Sequence, residues 1–238
     1  LDFVLLLKVL CIAAMVMDRP PFITPCRASD TACMKSSAQF AVPVLAAGVP
    51  SLGISVLDPM YVDRVTTSQS GLDMDFRNTV VKGLRNCKVE DLRRQSSMTF
   101  LDLQCSVVMT GDYRLGGRLL LLPIEGNGRY KIKIRDIVVK IVYNIGDRVV
   151  NGQRYWNMRN WKHSAYVRTG VEFNFENLFN GNRQLSDMIH QLANDRWREI
   201  FQEVAPPIVT AIVKKIMEQT TKLFDNVPEN QLAIPDYY

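Results

Sequence analysis

Few residues in this sequence are of a type to do covalent or acid–base chemistry, and their spacing is informative. Four cysteines follow Pro20: Cys26 and Cys33 in PCRASDTACMKSSAQF, then Cys87 and Cys105. The first pair encloses a loop short enough for a disulfide that staples an extended segment to a helix beginning near Ser29 or Asp30. Cys87 and Cys105 lie symmetrically about Ser96, inside a predicted hairpin whose turn is RQSSM. In TFLDLQCSVVMTG, Leu101, Leu103, Cys105, Val107 and Met109 share one face of a strand, and Asp102, Gln104 and Ser106 share the other. Cys87 and Val89 match an apolar face as well, so a second bridge and a pair of small buried thiols both fit.

The two histidines offer no catalytic spacing. His163 falls in a polar stretch expected to be exposed, and His190 sits on a predicted helix between apolar positions. No HExxH, GxSxG or cysteine–histidine pattern assembles a nucleophile or a metal site. The glycines of GDYRLGGRLLLLPIEGNG invite comparison with a phosphate loop, but the strand–turn–helix context and the Lys-Ser/Thr pair are missing. Gly126 and Gly128 are expected to supply positive φ in a tight turn, and Gly116 and Gly117 a bend or a close backbone approach. Neither enzymatic activity nor a metal or other cofactor is expected.

Composition narrows the classes further. The chain has 238 residues, 47% hydrophobic and 22% charged, which suits a folded globular protein rather than a disordered one. Its formal charge of +5 is spread along the sequence, and Arg93-Arg94 and Lys214-Lys215 are short pairs without interleaved aromatics. These pairs read as solvated surface, and no nucleic-acid partner is expected. The first seventeen residues, LDFVLLLKVLCIAAMVM, are apolar except for Asp2 and Lys8 and too short to span a bilayer. They read as a secretory signal peptide cleaved before Pro20, leaving residues 18–238 as one extracellular domain.

The elements that must position these residues divide by period. Met34, Ala38, Ala41, Val44 and Leu45 follow helical spacing over Thr31 to Ala47, stopped by Gly48. From about Tyr61 to Phe175 the period is mainly two, and turns predicted at 126–128, at Gly146-Asp147 and at Asn151-Gly152 imply an antiparallel meander. After Asn182 helical spacing returns and continues past Pro206-Pro207, which predicts a long helix with one bend. With no linker between these zones, the order argues for a single α+β domain. In KIKIRDIVVKIVYNI the inward set runs Ile132, Ile134, then Ile137, Val139, Ile141, Tyr143, Ile145, a phase slip at Arg135-Asp136 that marks a β-bulge. Bulged strands curve, and a curved sheet with one apolar face must enclose something.

The chain resembles the insect takeout and juvenile hormone binding protein family of the tubular lipid-binding superfamily. The resemblance rests on Cys26 and Cys33, on LAAGVPSLGISVLDPMYV with Gly48, Pro50, Asp58 and Pro59, on NTVVKGL with Asn78 and Gly83, on GDYRLGGRLLLLPIEGNG, and on NLFNGNRQLSD and NDRW. It covers about Pro21 to the C-terminus. It implies a long C-terminal helix wrapped in a highly curved antiparallel β-sheet, with a shorter N-terminal helix, around an apolar tunnel for a hydrophobic small molecule of terpenoid, fatty-acid or quinone type. The hormone carriers proper tie the late sheet to the C-terminal helix with a second disulfide. With no cysteine after Cys105, this chain sits closer to the takeout branch, which argues against juvenile hormone as its ligand.

An enclosed apolar tunnel would draw its lining from Met60, Phe76, Met109, Leu119, Leu121, Ile134, Val139, Ile141, Phe173, Phe175, Phe179, Met188, Trp197, Phe201, Ile208, Ile212 and Ile216. The expected partner is that small molecule, taken up by a monomer, with transient membrane or receptor contact left open. The competing expectation is an extracellular signalling or interaction protein, tied to circadian or feeding physiology, whose tunnel is filled by its own side chains.

Overall fold

Residues 19–69 and 71–235 are described by the computed structural model; the leader predicted at 1–17, with Cys11, lies outside them. The Asp30 side chain accepts the Cys33 N–H at 2.9 Å and starts helix α1, Thr31–Ala47. Gly48, at φ 86°, ends the helix where the sequence places its stop. Asp58 then fixes the passage from α1 into the sheet. Its buried carboxylate accepts the Gly83 and Arg85 backbone N–H groups and the Arg85 Nε, which ties the entry of the first strand to the turn after the second.

The sheet contains β1 (Met60–Gln69), β2 (Leu72–Lys82), β3 (Lys88–Gln95), β4 (Met98–Leu119), β5 (Leu122–Val150) and β6 (Gln153–Phe175). All pairings are antiparallel in the order β1-β2-β4-β5-β6. β3 lies end to end with β2 along one edge of β4, since β2 pairs with residues 108–117 of β4 and β3 with 98–104. At 22, 29 and 23 residues, β4, β5 and β6 far exceed the usual strand of about 3–10 residues, and strands of that length must coil. The coiling is concentrated at bulges. One lies where the phase slip predicts it: Asp136 sits at φ 58°, and the register shifts on both sides of it, between Cys105 and Val107 on β4 and between Arg135 and Ile137 on β5.

Two predicted turns are corrected. Strand β5 runs straight through 126–128 and through Gly146-Asp147; the hairpin before it turns at Leu120-Leu121, at φ 48° and 72°. A leucine pair carries none of the usual left-handed turn signals, so the sequence points to the nearby glycines instead. Gly126 and Gly128 do not have positive φ; they make room for packing. A Cβ on Gly126 would lie 2.8 Å from Tyr113 Oη, and one on Gly128 would lie 2.5 Å from the Glu176 carbonyl oxygen. The Asn151-Gly152 turn forms as expected.

The C-terminal helical segment is broken twice rather than bent once, into α2 (Arg183–Asp195), α3 (Trp197–Val204) and α4 (Pro206–Asn226), followed by the short α5 (Glu229–Leu232). The break at Ala205 is set by Pro206, which begins α4 and has no N–H to continue the previous helix. The break at Arg196 has no proline. There, Asn194 accepts the Phe173 N–H at 2.7 Å and donates to the Phe173 carbonyl at 3.1 Å, so α2 is bound to the backbone of β6 and α3 leaves at its own angle. Helix α4 buries Ile208, Val209, Val213, Met217, Leu223 and Phe224 against the curled sheet.

Candidate functional site

The bulge at Asp136 keeps both Ile134 and Ile137 on the concave face of β5, where strict alternation would have turned one of them to solvent. Continuing along the strand, Val139, Ile141 and Tyr143 share that face, and all five line a cavity of about 740 Å³. Leu101, Leu103, Val107 and Met109 of β4 form the adjoining wall, together with Cys87 and Cys105, which are joined in a disulfide. Helix α4 closes the opposite side with Ile208, Ile212, Val213 and Ile216, and α1 contributes Met34, Ala38, Ala41 and Leu45.

One end of the tube is filled by protein. Beyond Ile134, Ile132 and Tyr130 continue the concave face, and there Tyr130 meets Phe76 edge-on with ring centroids 5.1 Å apart and stacks on Phe175 at 6.0 Å. Tyr113 packs edge-on against Phe175 at 4.8 Å and donates a 2.6 Å hydrogen bond to the Glu176 carbonyl. The Tyr130 hydroxyl shares a 2.6 Å hydrogen bond with Thr79, and burial pushes the Tyr113 and Tyr130 phenols up to about 12.

The other end is bordered by residues 23–26 and 233–235 and is polar. The N-terminal strap (Ile23, Thr24, Cys26) runs parallel to the C-terminal tail (Ala233, Ile234), where the Ile234 N–H donates to the Cys26 carbonyl at 3.0 Å. The disulfide between Cys26 and Cys33 fastens the strap to α1. Just inside, three polar residues occupy one row across three strands, because Arg94 pairs with Thr99 and Thr99 pairs with Tyr143. All three line the cavity. The Arg94 guanidinium stacks 4.0 Å over Trp156, which in turn meets Phe224 edge-on at 5.2 Å. Desolvation lowers the Arg94 pKa, with Tyr143 and Glu229 opposing, and burial pushes the Tyr143 phenol up to about 12. Arg94 is therefore a correction: one member of a pair read as solvated surface is drawn inward.

The structure divides the seventeen predicted lining residues into three groups. Met109, Ile134, Val139, Ile141, Ile208, Ile212 and Ile216 come together around the cavity. Met60, Phe76, Leu119, Phe173 and Phe201 are buried in the core outside it, and Phe175, Phe179 and Trp197 pack against that core. Leu121 and Met188 are exposed, at 88% and 60%. Leu121 lies at the hairpin tip because the turn falls at 120–121, and Met188 lies on the outer side of α2. The β4 wall was legible, since the alternation of Leu101 to Met109 already marks one face. The Arg94–Thr99–Tyr143 row was not, because it depends on the register of two ladders.

The histidines do not converge on a reactive group. His190 Nε2 accepts the Phe175 N–H at 2.9 Å and serves to hold α2 on β6. His163 is half-buried rather than exposed, against Trp161, and burial lowers its pKa. Among the described residues, no group of three or more His, Cys, Asp or Glu is placed to hold a metal ion.

The family model for haemolymph juvenile hormone binding protein matches residues 5–234. The chain is 25% identical over 228 residues to the circadian clock-controlled protein daywake of Drosophila melanogaster, covering 89% of this chain and 87% of that one. It is 28% identical over 86 residues to the juvenile hormone-binding protein of Manduca sexta, 35% of this chain and 38% of that one. The crystal structure of Takeout 1 from Epiphyas postvittana superposes with a TM-score of 0.86 at 28% identity, covering 89% of this chain and 99% of the other. The curled sheet, the enclosed helix and the match along nearly the whole sequence agree: the chain belongs to the haemolymph juvenile hormone binding protein family, on its takeout-like side.

Proposed function

We propose that this protein is a secreted, takeout-like carrier that holds a hydrophobic small molecule non-covalently inside the sheet. The observation that carries the reading is the cavity of about 740 Å³, within the range of about 300–1,000 Å³ usual for small-molecule sites and walled mainly by aliphatic side chains. Burial of a lipophilic chain there gains about 0.8 kcal/mol per methylene, enough to outweigh the cost of association without metal or covalent chemistry. Secretion is supported by the apolar leader at 1–17 and by two disulfides, which persist in oxidising compartments.

Organic extraction of protein purified from insect cells, followed by mass spectrometry, and displacement of the fluorescent probe N-phenyl-1-naphthylamine test the proposal. A co-purifying lipid, or displacement by a terpenoid, a fatty acid or a quinone, is the expected result. Failure of all of these would favour the competing reading, an interaction protein that transports nothing.

A further inference from the structure

We infer that the polar row at the mouth is a head-group subsite for a carboxylate, so the preferred ligand is a long-chain carboxylic acid bound head-outward with its tail toward the aromatic plug. This rests on the carrier reading and specifies it. Three observations support it. Arg94 lines the cavity, and among the described residues no carboxylate lies within 4.0 Å of it; its Nε donates only a long 3.4 Å bond to Thr99 Oγ1. Its Nη groups bond no protein acceptor among those residues, and a guanidinium presents just such a pair of donors to a carboxylate. Stacking on Trp156 holds the guanidinium plane in place.

The neighbouring groups complete the subsite. Thr99 and Tyr143 lie beside Arg94 on the same face and hydrogen-bond each other, which leaves one hydroxyl proton of the pair to donate. Tyr143 remains protonated at neutral pH because burial pushes its phenol up to about 12. The other charged residues lining the cavity are Arg154 of β6, which is 3.6 Å from Asp147, and Glu229 of α5. Glu229 is the one acid whose charge acts on Arg94, and it stays beyond ion-pair distance, so the guanidinium is not neutralised by direct contact. Tyr143, Val139 and Ile134 succeed one another along β5, so a tail anchored at this row runs over aliphatic side chains toward the plug of Phe76 and Tyr130, which stands beyond the cavity lining.

The test compares palmitate, methyl palmitate and hexadecanol as competitors for N-phenyl-1-naphthylamine, with wild-type protein and with R94M, R94K and Y143F. A charge-assisted hydrogen bond predicts that palmitate binds about tenfold to a hundredfold more tightly than the ester or the alcohol. In R94M the acid should fall to the level of the ester, and R94K should restore part of the difference. Equal binding of the three ligands by wild-type protein overturns the subsite and leaves the carrier reading intact. Binding of none overturns both. If R94M does not fold, the wild-type comparison and Y143F, which loses one hydroxyl, still decide.

Discussion

The geometry of the cavity sets the length of chain it can hold. Helix α4 lines it from Ile208 to Phe224, a rise of about 24 Å at 1.5 Å per residue. An extended chain advances about 1.2 Å per bond, as the fully extended polypeptide shows, so about 20 bonds fit between the mouth and the plug. Each methylene added within that length transfers from water to aliphatic surroundings for about 0.8 kcal/mol, or roughly a fourfold gain in affinity. The perturbation is therefore a series of saturated carboxylates from ten to twenty-four carbons, with Kd measured by probe displacement in one buffer. Log Kd should fall linearly and then level off at about 18–20 carbons, where the tail reaches Tyr130 and Phe76. A slope indistinguishable from zero would refute burial of the chain in this cavity. A slope continuing unbroken to twenty-four carbons would refute the plug.

Three further outcomes probe the frame around the site. Gly128→Ala, whose Cβ would meet the Glu176 carbonyl at 2.5 Å, should cost about 1–3 kcal/mol, whereas Gly116→Ala, with open space around it, should lie within about 0.5 kcal/mol of wild type in thermal or urea unfolding. Removing the Cys87–Cys105 bridge with paired serines reopens a loop with a sequence separation of 18, which should cost about 3 kcal/mol and lower Tm by roughly 6–12 °C in calorimetry. Burial raises the Tyr113, Tyr130 and Tyr143 phenols from 10.0 to about 12, so the folded protein holds these protons more tightly than the unfolded chain. That contribution is intact below about pH 10 and is lost as pH rises toward 12; Tm should drop across this window, and Tyr130→Phe should make the drop shallower.

Much of the molecule was legible because it is written in local patterns. Helix α1 appears between an N-capping Asp30 and Gly48, the inward face of β4 appears as alternation from Leu101 to Met109, and the bulge at Asp136 appears as a one-residue slip in apolar phase. Each signal depends on residues within a few positions of one another, where backbone geometry alone relates sequence to direction.

Other features depended on segments that meet only after folding. The turn at Leu120-Leu121 has no favourable local chemistry and is held by the pairing of β4 with β5 along their whole length. Gly126 and Gly128 look like turn residues until Tyr113 and Glu176 arrive beside them. The sequence by itself determined that an apolar concave surface would form, because period and bulge decide which side chains point inward. Only the tertiary structure decided how that surface was shared between aromatic plug and open cavity, and that Arg94 would face the cavity. Those outcomes depend on which side chains the registers of β3, β4 and β5 bring together, and register is a property of strand pairs.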